Sequence, residues 1–146
     1  VKTVTFYTDH FSTTPLPDAI NDVLGHDLAA WLLEGLRARG YEADDIIGED
    51  YGYGFWLLVE ETSIWINATQ YEPPGYEGHA HSRWLVDVST DAGCLWLYRP
   101  RRKRLTPEKL RDLTRDIHTL LLTDSSITGI EWWVQDVRVG NPLPEP

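Results

Sequence analysis

The chain has 146 residues, of which 42% are hydrophobic, with seven Trp, one Cys and a formal charge of −10 at pH 7. That size and apolar content suit one core, so a single domain is expected over residues 1–139, followed by a Pro-rich tail over 140–146. The acidic balance opposes nucleic acid and anionic membranes, no run approaches the roughly 18 apolar residues of a membrane span, and "VKTVTFYTDH" lacks a signal peptide's apolar stretch; a cytoplasmic protein is expected.

Along the chain, "VKTVTFYT" alternates so that Val4 and Phe6 share one face, the period of a strand. The next stretch, "DHFSTTPLPDAINDVLG", holds two Pro among Ser, Thr, Asp and Asn, which compete with regular backbone hydrogen bonds, and reads as a loop running into a helix. From Gly25 to Arg39, Leu24, Leu28, Trp31, Leu32 and Leu36 recur at steps of three and four. This predicts an amphipathic helix with Asp27 near its start, Arg37 and Arg39 near its end, and Gly40 as its stop.

After the acidic connector "YEADDIIG" come four strand candidates, "GFWLLVEE", "SIWINAT", "SRWLVDVS" and "CLWLYR", rich in Trp, Ile, Val and Leu. The short breaks "ETS" and "TDAG" predict hairpins, and the economical arrangement is an antiparallel meander. Cys94 has no second Cys with which to form an internal disulfide, and within "GCLWLY" it reads as a small core residue of a strand rather than a reactive thiol. "LTPEKLRDLTRDIHTLLL" predicts a second helix, with Thr106 as N-cap, Pro107 at its first position and Leu110, Leu113, Ile117, Leu120 and Leu121 on one face. "IEWWVQDVRV" closes the domain as a strand. The tail "GNPLPEP" is expected to be extended or disordered.

The order strand, helix, four strands, helix, strand departs from the alternation of a doubly wound sheet. The fold class expected is α+β: a mostly antiparallel sheet of five to six strands with two helices packed on one face. Aromatic residues occur at both parities of the strands, as in Phe55 beside Trp56 and Trp132 beside Trp133, so some Trp must face away from the helices. Either that face is an exposed aromatic patch or a loop such as "YEPPGYEGHAH" covers it.

The segment "GEDYGYGFW" admits two readings. Gly52 and Gly54 allow positive φ in a turn that Tyr51 and Tyr53 clamp, which is a structural account. Glu49 and Asp50 beside two phenols also form an acidic, hydrogen-bonding rim for an Arg or Lys of a partner. The pairing of "LAAWLLEGLRARGYE" with "GEDYGYGFWLLV" resembles a widespread group of small bacterial proteins. In that group a helix ending in Arg-x-Arg-Gly leads to a Glu-Asp-aromatic-Gly-aromatic turn. The resemblance covers residues 24 to 60, and "ITGIEWW" more loosely; the group often carries Trp where this chain has Tyr51 and Tyr53. It implies a bacterial or phage origin and brings no activity with it.

Catalytic constellations are thin. There is no Gly-x-Ser-x-Gly elbow and no phosphate loop, and the acid pairs Asp44–Asp45, Glu49–Asp50 and Glu60–Glu61 have the character of solvated turns, so no catalytic residue and no cofactor is assigned. His79 and His81, two apart and joined by Glu77, form the alternative, a metal-binding or hydrolytic site. The basic run Arg101, Arg102, Lys103 and Arg104, after Trp96 and Tyr98, could meet phosphates or stack on bases, but it is short against the surrounding acid. The leading expectation is therefore a small acidic binding protein of the immunity or antitoxin type, more a binder than an enzyme. It would occlude a basic protein surface with Glu49, Asp50, Tyr51, Tyr53, Trp56 and Trp133. An open sheet edge is also compatible with a homodimer.

Overall fold

The computed structural model describes residues 2–90, 105–134 and 140–146. The predicted strand over 94–99, Cys94, the basic run 101–104 and the end of the last predicted strand, 135–139, lie outside the described residues. The first alternation forms β1 (Lys2–Tyr7) and the predicted amphipathic helix is α1 (His26–Ala38). The acidic connector, in which no strand is expected, and the Glu49 that follows it supply two short strands, β2 (Glu42–Ala43) and β3 (Ile47–Glu49). They are followed by β4 (Gly52–Val59), β5 (Thr62–Glu72), β6 (Arg83–Ser89), α2 (Pro107–Thr123) and β7 (Thr128–Trp133).

The architecture is α+β, a seven-stranded sheet whose main order is β2-β4-β5-β6-β1-β7, with β3 paired to β4 beside β2. Every described pairing is antiparallel. β4, β5 and β6 form the expected meander, and β1 slots between β6 and β7. The β4–β5 connection is tighter than "ETS": Val59 pairs with Thr62, leaving only Glu60 and Glu61 in the turn, with Glu60 at φ 55°. In the tail, Leu143 exchanges both backbone hydrogen bonds with Trp132, at 2.7 and 2.8 Å, so the edge of β7 is partly satisfied from there.

Both helices lie on one face. Leu28, Leu32 and Leu36 of α1 and Leu113, Ile117 and Leu121 of α2 join Val4, Phe6, Phe55, Leu57, Ile66, Trp84 and Val86 in one buried cluster. Each such side chain, withdrawn from water, contributes about 1.5–3 kcal/mol to stability before its entropy cost. Thr106 accepts from the backbone N–H of Lys109 as the N-cap of α2, with Pro107 at the first position, and Gly40 takes φ 91° after α1. The helices touch where Gly35 leaves room, since a Cβ there would sit 2.7 Å from a Leu120 methyl. Tyr41 donates its hydroxyl to Asp116 at 2.6 Å, and Trp132 Nε1 donates to His118 Nδ1 at 3.0 Å, tying α2 to α1's end and to β7.

The opposite face is buried too, and this corrects the expectation that Trp56 and Trp133 form an exposed patch. Trp56 is 8% exposed and Trp133 6%, and Trp65 and Leu85 of the same face are also buried. Trp56 and Trp65 are cross-strand neighbours with ring centroids 5.2 Å apart. At the other end Arg83 organises a polar cluster, donating to Glu131 at 2.8 Å, Thr5 at 3.1 Å and Glu72 at 3.4 Å, with its guanidinium over the rings of Tyr7 and Tyr71. The 71–81 loop contributes here, as His79 stacks on Tyr7 at 4.5 Å.

Gly52 and Gly54 are likewise not turn residues with positive φ; they lie within β4. A Cβ on Gly54 would lie 2.4 Å from the Trp65 ring and 2.5 Å from the Ile66 carbonyl oxygen, and one on Gly52 would lie 2.7 Å from both Asn67 Oδ1 and the Ala68 carbonyl oxygen. Trp65 and Asn67 lean across β4, and only glycine leaves them space. Gly54→Ala is therefore expected to destabilise the fold by about 1–3 kcal/mol through overpacking, read as a lower urea midpoint with an altered near-ultraviolet tryptophan signal; an unchanged midpoint would contradict the close approach.

Candidate functional site

The loop between β1 and α1 builds the site. Its start is pinned: Thr8 N–H donates to the Ser82 carbonyl at 3.1 Å, and Phe11 is buried edge-on against Trp31 and Trp84, at centroid distances of 5.8 and 5.6 Å. Beyond it the chain crosses α1's N-terminus, where Ser12 N–H donates to Asp27 at 3.4 Å, and turns at Leu16–Ala19. A short helical turn follows at Ile20–Asp22, in which Asn21 and Asp22 hold φ 54° and 53°. Left-handed backbone at two successive non-glycine residues costs of order 1 kcal/mol or more each, and Asn and Asp are the residue types that tolerate it best.

Opposite this loop stands the β3–β4 hairpin. Glu49 pairs with Gly52, so Asp50 and Tyr51 alone form its turn. Gly48, paired with Tyr53, lets the phenol ring lie against β3, because a Cβ there would already be 3.2 Å from the ring. Gly25, at φ 130°, brings the start of α1 onto β5, where a Cβ would meet the Ala68 carbonyl oxygen at 2.4 Å. That approach sets His26 edge-on to Tyr53, with centroids 5.3 Å apart and planes at 90°.

Between loop, helix start and hairpin runs a groove of about 310 Å³, walled by Leu16, Ile20 and Ile46, with Asp18, Glu49 and His26 at its sides and Tyr53 among its lining. A compartment of about 60 Å³ beside Ser12, Thr14 and Asp27 shares Leu16, His26 and Tyr53 with it. Tyr53 is only 6% exposed, and its hydroxyl takes no hydrogen-bond partner among the described residues. Burial, followed by the negative charge of Asp18, holds this phenol above its ordinary pKa, so it stays a neutral donor. Neither Asp18 nor Glu49 has an ion-pair partner among the described residues.

Of the residues singled out in the sequence, Glu49 and Tyr53 line this groove and Asp50 and Tyr51 flank it on the exposed turn. Trp56 and Trp133 belong to the other face of the sheet and are not part of it. Leu16, Asp18, Ile20, His26 and Ile46 were not anticipated. The one available signal was the Pro-bracketed "PLPDAIND", whose apolar residues inside a polar loop need something to cover.

The alternative site does not assemble. His79 stacks on Tyr7, while His81 Nδ1 lies 2.5 Å from Asp9 Oδ2. Among the described residues no group of three or more His, Cys, Asp or Glu is placed to hold a metal ion. No described helix is long and apolar enough to cross a membrane. Scanned against protein-family models, curated proteins and solved structures, the chain matches none.

A clasp at the foot of the loop fixes its geometry. His10 pairs with Asp124, which also accepts from the Ser126 hydroxyl at 2.7 Å and the Ser126 backbone N–H at 2.9 Å. The Ser126 hydrogen bonds first, and His10 after them, hold the Asp124 carboxyl below the usual carboxylate range. A depressed folded-state pKa contributes stability that is present above the ordinary value of about 4 and is lost as pH falls through the lower, folded value. Asp124→Asn should therefore cost about 1 kcal/mol at pH 7, with the gap to the parent closing on acidification below about pH 4, measured by urea unfolding at both pH values. A gap that stays constant with pH would show that the carboxylate charge plays no part.

Proposed function

We propose that this protein is a small acidic protein-binding module, of the immunity or antitoxin kind, that occludes a basic surface of a partner protein. The observation that carries the reading is the meeting, around one groove, of exposed apolar surface with acids that have no ion-pair partner among the described residues. Asp18 and Glu49 line it, Asp50 lies beside it, and Ile20, Ile47 and Tyr51 of the same loop and hairpin are 53%, 41% and 48% exposed. Large apolar side chains amid charges of one sign are the composition of a contact surface whose centre excludes water and whose rim steers encounter.

The charge of the whole chain acts in the same sense. A formal −10 accelerates approach of a cationic partner and repels polyanions, including the nucleic acid that a basic nuclease would otherwise engage. The proposed contact surface differs from the one expected from sequence in that Trp56 and Trp133 drop out, while the loop 15–22, His26, Ile46 and Ile47 are added. The burial of Trp56, Trp65, Trp84, Trp132 and Trp133 supports this division of labour, with Ile20, Ile47, Asp50 and Tyr51 of the loop and hairpin exposed.

Asp50→Lys tests the reading, because Asp50 is exposed in a two-residue turn and its reversal leaves the core alone. With the immobilised protein challenged by lysate of the source organism, the parent should retain a basic protein in stoichiometric amount. The variant should capture it several-fold more slowly at low salt, with the difference shrinking near 0.5 M salt as screening shortens to about 4 Å. Equal capture by parent and variant at low salt would sink the proposal.

A further inference from the structure

We infer that the groove between residues 15–22 and the β3–β4 hairpin receives one arginine side chain of the partner, a step that rests on the binding-module reading above. Three polar groups line one cavity with no hydrogen-bond or ion-pair partner among the described residues: the carboxylates of Asp18 and Glu49, and the hydroxyl at the solvent-reaching end of Tyr53, a side chain otherwise more than nine-tenths buried. Hydrogen bonds to charged groups contribute roughly 1.5–3 kcal/mol, so a cation that donates to these carboxylates gains from each of them. The two acids can only accept; the phenol both accepts and donates. A ligand that meets all three must therefore donate in several directions.

Guanidinium has that shape. It is planar and permanently charged, it carries five N–H donors, and it is more weakly hydrated than an ammonium, so it loses less on entering a cleft walled by Leu16, Ile20 and Ile46. Asp18 comes from the loop and Glu49 from the hairpin, so the acceptors reach the cavity from two separate segments, as a fork of donors requires. The rings of Tyr53 and His26, set perpendicular at 5.3 Å, give the flat cation an aromatic surface to lie on. The volume of about 310 Å³ lies at the small end of ligand sites and suits one long side chain rather than a folded segment. A lysine would meet the same charge but offers a compact, strongly hydrated ammonium that cannot span both carboxylates in one plane.

The test uses the whole chain with three probes: N-acetyl-arginine amide, its neutral isostere N-acetyl-citrulline amide, and N-acetyl-lysine amide. The ring resonances of Tyr53 and His26 are followed by NMR. Arginine amide should shift both rings with half-saturation on the order of 1 mM, and citrulline amide should bind at least about tenfold more weakly. Lysine amide should bind several-fold more weakly than arginine amide, and Asp18→Asn and Glu49→Gln should each cost several-fold for arginine amide while leaving the thermal midpoint unchanged. Equal binding of arginine and citrulline or lysine amides, or no shift up to about 100 mM, would overturn the inference. If arginine amide fails while a basic protein is still captured in a salt-dependent way, the pocket is wrong and the binding-module reading stands. Binding of arginine amide without capture of any basic protein would overturn that reading alone.

Discussion

The structure turns on how closely other segments approach β5. Gly25, Gly52 and Gly54 all abut it at distances where a Cβ would lie within 2.7 Å of its backbone or side chains. Two of these contacts seat β4 beneath Trp65 and Asn67; the third sets the start of α1 directly on the Ala68 carbonyl. Their consequences converge. With β4 in that register, Tyr53 faces the helices, and with α1 begun at that point, His26 meets Tyr53 edge-on. The groove is the space that remains when the loop from β1 must still cross from Phe11 to Gly25. Side chains at these three glycines would push the helix and hairpin apart, and the cavity depends on their absence.

A second constraint follows from the tryptophans. A sheet with aromatic residues at both parities has to bury both faces, and here Trp84 and Trp132 lie beneath the helices while Trp56, Trp65 and Trp133 are buried on the far side. Burying Arg83 on that far side requires compensation, which Glu131, Glu72 and Thr5 supply together with the surrounding rings. Trp133 also donates its indole N–H to Thr5 at 3.0 Å. The most aromatic part of the chain is in this way largely buried, with Trp65 Nε1 and Arg83 Nε left without a hydrogen-bond partner among the described residues.

Periodicity made the helices and main strands legible because each has one apolar face with a repeat of its own: Leu28, Leu32 and Leu36 at helical spacing, and Val4 and Phe6 at strand spacing. The sites of pairing between distant segments carry no such repeat. β2 and β3 are two and three residues long and exist only because β4 offers them an edge, so an acidic connector was all that the local pattern could display. Gly52 and Gly54 illustrate the same limit, since a glycine demanded by a neighbouring indole is indistinguishable in sequence from one demanded by a turn. Of the candidate site, Glu49 and Tyr53 were legible through their spacing. Asp18 and His26 were not, because nothing local tells a loop which hairpin it will face.

The way acid and apolar surface are arranged decides what kind of binding the groove can support. Charges at the mouth act at a distance of about a Debye length, roughly 8 Å in physiological salt, and so govern how fast a cationic partner arrives. They add little lasting affinity while they remain in water, because surface ion pairs contribute about 0–1 kcal/mol. Lasting affinity needs groups that are desolvated in the complex, and the groove provides these in Tyr53 and the Leu16, Ile20 and Ile46 walls. A ligand that merely neutralised the rim would bind fast and leave fast. One that carries its charge on a long apolar stem places that charge between Asp18 and Glu49 while its methylenes displace water from the walls, and the two contributions then fall on the same side chain.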